Sequence, residues 1–527
     1  MRRALVLLVA ASLLAAVLPV ATGDGDRARA AGASEARIFL GDPTTLDPAA
    51  ASDSTSLGVI VQLFERLTAL DSDLVVRPAL AERWELLDGG RRIVFTLRDG
   101  LAFSDGTPLT AEDVVRSWLR LLDPQNPGPF ATFLLDVEGA RDYVSGRNAD
   151  PASVGLVADG RTLEVRFTRP AGDFPLVAAS ASLAVVPPGV GRDAAALEAG
   201  QGFVSSGGYR LVNRSGTELE LEANPRYWAG KPAIDTIVAV ASLEGRSAVD
   251  TFTAGDLDWT PIESYNADWI SYDAALGPSL RESNSFTTFY YGFTTTKAPF
   301  DDARVRRAFA QAVDWRRIVA LADGADAAPA TSMVPAGIPG RSDADFVPTF
   351  DPSAARALLA EAGFPGGVGL PAVTLVTAGG YDAAVVAQLK ENLGVSVAYE
   401  AVDFEDFFPR LYDDPPAMWS LSWMADYPGP NDFLGVLLGS GEANNYGRWS
   451  NASFDAAIGR ALGTADPAAA REAFDEAERV VRDEVPVIPV SYGTHWSLSR
   501  EGLLGAAENG SGDLRLAGLA WRDGGRP

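Results

Sequence analysis

Apolar positions recur at two periods along this 527-residue chain, and the switching between them predicts a mixed α/β molecule. Residues 91–98, RRIVFTLR, alternate at the period of two that a half-buried strand needs, and Asp99-Gly100 ends the run. The next segment changes to helical spacing. In AEDVVRSWLRLL, residues Val114, Val115, Trp118, Leu119 and Leu122 share one face, and Thr110 with Asp113 has the spacing of a capping box. LGVIVQLFERLTAL, 57–70, predicts another helix. Hairpins are predicted over 155–168, and over 207–222 with Ser215-Gly216 in the turn. Farther on, FTTFYYGFTT reads as a strand and DARVRRAFAQAVDWRRIVAL as one long helix. Pro352 and Gly363 frame a helix at its N1 and C′ positions. Helices are also expected over 381–392, 454–462 and 467–484, and strands in PAVTLVTAG, VSVAYEAV, AMWSLSWMA and VPVIPVSYG. No internal repeat interrupts the pattern.

The length exceeds one simple core, so two or three lobes are expected. The N-terminus sets the compartment. Arg2-Arg3 precede an apolar run from Ala4 to Leu18, and Ala28-Arg29-Ala30 fits a small-x-small cleavage site, so residues 1–30 read as a secretory signal peptide. The run falls short of the about 20 residues of a membrane span, and an uncleaved anchor is the alternative. An exported protein is expected, in the periplasmic space or cell envelope. With no cysteine it has no lipid-anchoring thiol, disulfide, thiolate nucleophile or Cys-zinc site.

Charge narrows the partners. The formal net charge is −26, with 70 acidic and 44 basic residues, and no Lys/Arg cluster suited to nucleic-acid phosphates is present. The single histidine, His495, excludes His-rich metal sites. It has no G-x-S-x-G partner motif and reads as structural. Gly367 and Gly369 precede a strand instead of following one, so they do not form a dinucleotide fingerprint. Asp301-Asp302 opens a helix, and Asp343/Asp345 lacks calcium-loop spacing. Nothing supports an enzyme, a metal or a cofactor.

One stretch carries chemistry. SWMADYPGPND, 422–432, sets Asp426 between Trp423 and Tyr427 just before a Pro-Gly-Pro turn. Strand alternation places Trp419, Leu421 and Trp423 on one face, and Ser420, Ser422 and Met424 on the other. A carboxylate among rings needs a compensating cation or hydrogen-bond donors. A turn Asp satisfied by backbone N–H groups and a binding-site Asp both fit this pattern.

LFERLTALDSDLVVRPALAERWEL, FTLRDGLAFSDGTPLTAEDVVRSWLRLLDP, GGYRLV…LEANPRYWAG, YYGFTTTKAPFDDARVRRAFAQAVD, ARALLAEAGFPGG, WMADYPGPNDFL and VPVIPVSYG follow one another in order. This series resembles the solute-binding proteins of peptide ABC importers, the oligopeptide/dipeptide-binding family (solute-binding family 5), over nearly the whole mature chain. The resemblance implies a periplasmic-binding-protein-like α/β fold of two lobes with a hinge, plus an extra domain on the first lobe. It maps domain I to 35–64, 187–287 and 489–527, domain II to 65–186 and domain III to 288–488. It implies a non-enzymatic, monomeric protein that captures a peptide between the lobes and delivers it to a membrane permease. By the same resemblance Asp426 takes the peptide α-ammonium group, Ser422, Trp423 and Met424 pair with its main chain, Tyr427 flanks the site, and Asp53-Ser54 approach from domain I. Some relatives carry Arg six residues before this Asp, where the present chain has Ser420; Arg410 is the expected substitute. A non-peptide amine, a metal chelate, a signalling receptor and, more remotely, an extracellular hydrolase are the alternatives.

Overall fold

The computed structural model describes residues 34–526 apart from 72–73, 192–196, 198–202, 323–327 and 513. The signal segment lies outside the described residues. Ten strands form one mixed sheet, in the spatial order Val397–Ala401, Val373–Thr377, Met418–Met424, Leu280–Phe293, Val487–Ser499, Trp259–Ile262, Glu35–Phe39, Thr236–Val240, Glu218–Ala223 and Tyr209–Arg214. The two long central strands join the halves. They pair antiparallel from Leu280↔Leu498 to Gly292↔Val487, with register irregularities between Asn284 and Thr288 and between Phe289 and Tyr290. Such irregularities interrupt a ladder and increase local twist. Each half has its own apolar cluster. Ile38, Val59, Leu221, Trp259 and Leu516 fill one, while Tyr290, Trp419, Phe433 and Phe454 belong to the other.

A separate four-stranded antiparallel sheet is built from Ala81–Leu87, Arg92–Leu97, Thr162–Arg166 and Leu156–Asp159, in that order. The helix Ala111–Leu121 packs on it and starts at the predicted Thr110–Asp113 capping box. Trp118 is buried on its apolar face, and its indole N–H donates to the Leu183 carbonyl at 2.9 Å. This pairing satisfies the ring's one polar group, so its apolar area is buried without an orphaned donor.

Two expectations change. The 57–70 segment splits into the helix Ser54–Leu63 and the strand Thr68–Leu70. The predicted long helix is two, Ala303–Gln311 and Trp315–Ala322. Asp314 accounts for the break. Its side chain accepts from the Arg317 N–H at 3.1 Å, while its own N–H donates to Gln388 Oε1 at 2.7 Å instead of to a carbonyl of the preceding helix. No helix among the described residues is long and apolar enough to cross a membrane.

Candidate functional site

The strand Met418–Met424 ends where the two halves of the molecule meet the extra domain. On one side it pairs with Leu280–Phe293, including Phe289↔Ser422 and Thr287↔Met424. On the other side Val373–Thr377 reaches only Met418 and Trp419. Beyond Trp419 no strand among the described residues pairs that edge, so it is open to an added one.

The turn after the strand is held by carboxylates. Asp432 is fully buried, and its Oδ2 accepts from Trp423 Nε1 at 2.9 Å and from the Asp426 N–H at 3.1 Å. Its Oδ1 is buried without a partner. Behind Tyr427, Asp173 of the extra domain accepts from the Tyr427 hydroxyl at 2.7 Å and from Asn431 Nδ2 at 3.0 Å. The Asp426 carboxyl opens to the cleft, yet protein on its other sides strips much of its hydration, and this desolvation pushes its pKa up to about 6. Burial likewise raises Asp432 well above the carboxylate range, and the neighbouring Asp426 charge adds to the effect. Burial also raises Asp173, against its hydrogen bonds from Tyr427 and Asn431 and the more distant Arg169 charge. Asp426 and Asp432 have no ion-pair partner among the described residues.

Asp426 lines a cavity of about 420 Å³. Met424, Tyr427 and Pro428 continue its wall; Ser52, Ser54 and Leu57 face in from the start of the first helix, and Leu176 and Ser180 from the extra domain. The last chain segment closes the wall with His495, Glu508 and Ser511. A second hollow, of about 430 Å³, lies wholly on the extra domain around Val115, Leu119 and Tyr143 and joins no separate lobes.

Four of the residues singled out from the sequence therefore meet at this cavity: Asp426, Met424, Tyr427 and Ser54. Ser422 is exposed on the same strand but does not line the cavity. Trp423 turns toward the core and bonds Asp432 instead. Asp53 sits one residue before Ser54 but is occupied as a helix cap, its Oδ1 accepting from the Ser56 N–H at 2.8 Å. Arg410 is not brought to the cleft. It lies on the helix Phe404–Asp413 and pairs with Glu400 at 2.8 Å, exposed. Ser420 cannot replace the Arg of relatives, being buried and bonded to Thr377 Oγ1 at 2.8 Å.

His495, expected to be structural, also lines the cavity wall. The pairing Ser283↔His495, on the long central strands, carries it there. Glu508 and Ser511 were missed because their segment has no regular periodicity. One signal was available: from Leu411 to Gly447 the sequence contains no Lys or Arg, so Asp426 has no nearby cation along the chain.

Two lobes on a continuous pair of strands, an appended sheet and a cavity between them define an extracytoplasmic solute-binding fold. The chain belongs to the bacterial extracellular solute-binding proteins, family 5, whose model matches residues 75–445. It is 32% identical to the probable deoxycholate-binding periplasmic protein YgiS of Escherichia coli, with 86% of each chain covered. It is 30% identical to the periplasmic oligopeptide-binding protein OppA of Salmonella typhimurium, with 85% of each covered. Among solved structures, the unliganded open form of the murein tripeptide-binding protein MppA superposes with a TM-score of 0.81 at 26% identity, over 93% of this chain and 98% of that one. Another structure of MppA, from Escherichia coli, gives 0.71 over 93% of this chain and 99% of that one. The overall arrangement is thus nearer to the unliganded open form than to that second structure.

Proposed function

We propose that this exported protein captures peptides in the cleft and hands them to an ABC import permease, with Asp426 holding the peptide α-ammonium group. The observation that carries the reading is an acid at the cleft wall with no protein cation beside it. A peptide N-terminus supplies the charge that Asp426 lacks, as a charge-assisted hydrogen bond. The open edge beyond Trp419 lets the peptide backbone add as a strand, which recognises main chain whatever the side chains. Ser54 approaches from the opposite lobe, and closure about the two long strands brings it to the ligand. In this reading domain I comprises 35–64, 187–287 and 489–527, domain II 65–186 and domain III 288–488. The protein works as a periplasmic or envelope monomer without an enzymatic step.

Calorimetry with a free tripeptide and its N-acetylated form tests this. The free form binds, and acetylation removes binding; equal affinities would refute the role of Asp426. The kinship with a probable deoxycholate-binding protein favours a second reading, a non-peptide amphipath. Deoxycholate is an anion, and the acid at this wall opposes it, so the peptide reading is preferred.

A further inference from the structure

The cleft's polar equipment is one-sided, and this bears on the far end of the ligand. A short peptide carries a carboxylate as well as an ammonium group, and relatives with Arg before the Asp can meet it. No Lys or Arg occurs among the described residues lining the cavity. The position of that Arg holds Ser420, whose hydroxyl is engaged with Thr377 and Gly379 inside the protein. The helix Ser54–Leu63 starts at the wall, where its exposed N–H groups would favour an anion. Asp53 already caps that end with its own charge, accepting from Ser56 N and from the Thr44 hydroxyl at 2.7 Å.

His495 adds no positive charge. One ring nitrogen bonds the Gly510 backbone, and Nε2 is shielded from water with no partner. Burial lowers its pKa, against that backbone bond, so the ring stays neutral at neutral pH with Nε2 as an acceptor. Besides Asp426, His495 and Glu508, the polar side chains among the described lining residues are those of Ser52, Ser54, Ser180 and Ser511, and Tyr427, whose hydroxyl is committed to Asp173.

We infer that the cleft selects ligands of net positive charge: amine-terminated peptides that are blocked at the C-terminus or carry basic side chains, in preference to zwitterionic peptides and to anions. The inference rests on the assignment of Asp426 to the ammonium group and adds that no site reads the terminal carboxylate. A carboxylate held in the cleft then meets a neutral ring and no Lys or Arg among the described lining residues, and removing it strengthens binding.

Calorimetry at pH 7.5 with tri-alanine, tri-alanine amide, N-acetyl-tri-alanine amide, tri-lysine and deoxycholate tests it. The amide is expected to bind about threefold or more tighter than the free acid, the modest gain typical of partly solvated charges. Tri-lysine is expected to exceed tri-alanine by a similar factor. Ser511→Arg, which places a cation on a turn at the wall, should narrow or reverse the preference for the amide. Tri-alanine binding as tightly as its amide, or tighter, overturns the inference while leaving the ammonium site standing. Binding of the acetylated amide as tightly as the free-amine amide overturns the ammonium site itself. Binding by deoxycholate alone, or by none of the peptides, overturns both.

Discussion

Two carboxylates in this molecule have lost much of their water, and they meet opposite fates. Glu65 is 2% exposed and fully served by protein. Its Oε2 accepts from the Tyr227 hydroxyl at 2.5 Å, Trp228 Nε1 at 3.1 Å and Arg515 at 3.3 Å, and Arg66 lies beside Oε1. Burial alone would raise its pKa; the charges of Arg66 and Arg515, then the Tyr227 hydrogen bond, hold it below the ordinary value instead. Asp426 is more exposed than Glu65 because it opens to the cleft, but the protein around it still desolvates it and gives none of the compensation, so its pKa rises. The Glu65 network ties together residues of the first helix's exit, the NPRYW loop and the C-terminal segment, which makes it a staple of the fold. In the proposed function Asp426 is left for the ammonium group of a ligand. Loss of water alone does not tell the two apart: Glu65 finds its partners inside the protein and Asp426 does not.

Breaking the staple should give the largest effect. Glu65→Ala leaves Arg66 and the Arg515–Tyr227 pair facing a hole, and broken buried ion pairs cost about 3–5 kcal/mol. Chemical denaturation should show that loss. Asp426→Asn should do the reverse: no loss of stability in the ligand-free protein, because a poorly solvated charge is removed, but about hundredfold or greater loss of free-amine peptide affinity by calorimetry. If the two variants exchanged these phenotypes, the contrast between the sites would be wrong.

The next effect is one of pH. A raised folded-state pKa means that Asp426 favours the ligand-free fold most below its unfolded value, and that this contribution is lost as pH rises through about 6. Binding runs the other way, since an ammonium group needs the charged form. Peptide affinity should therefore fall about tenfold between pH 7.5 and pH 5, with its midpoint near 6, and Asp426→Asn should flatten the profile. A midpoint near 4 would mean that the carboxyl is as well hydrated as a surface one.

Much of this was legible in the sequence, for identifiable reasons. The helix at 111–121 carried its capping box and one-sided apolar face, and the hairpins carried their alternation. Asp426 stood out as an acid among rings at a strand end. The partners of that acid were not legible. Trp423 looked like a wall of the site but bonds Asp432, because alternation gives the face of a strand and not which loop folds under it. His495 and Glu508 come to the cleft from a segment some 70 or more residues away, a long-range pairing that local periodicity does not encode. Arg410 is near Asp426 along the chain, yet its helix directs it to Glu400.

The smallest expected effect concerns Asp432, and it sharpens the comparison most. This side chain is as buried as Glu65, yet no cation among the described residues pairs with it, and both desolvation and the charge of Asp426 drive it toward the neutral form. A neutral Asp432 keeps Oδ2 as the acceptor for Trp423 Nε1 and the Asp426 N–H. Asn at this position reproduces that acceptor and that neutrality in nearly the same shape. Asp432→Asn should accordingly change stability by less than about 1 kcal/mol, in contrast to Glu65→Ala, and peptide affinity at pH 7.5 by less than about threefold. The midpoint near 6 in the pH profile should also stay in place, because desolvation and not a second charge sets it. A midpoint that moved down to the ordinary carboxylate range would show Asp432 to be ionised, and would make the two acids a charged pair waiting for one cation.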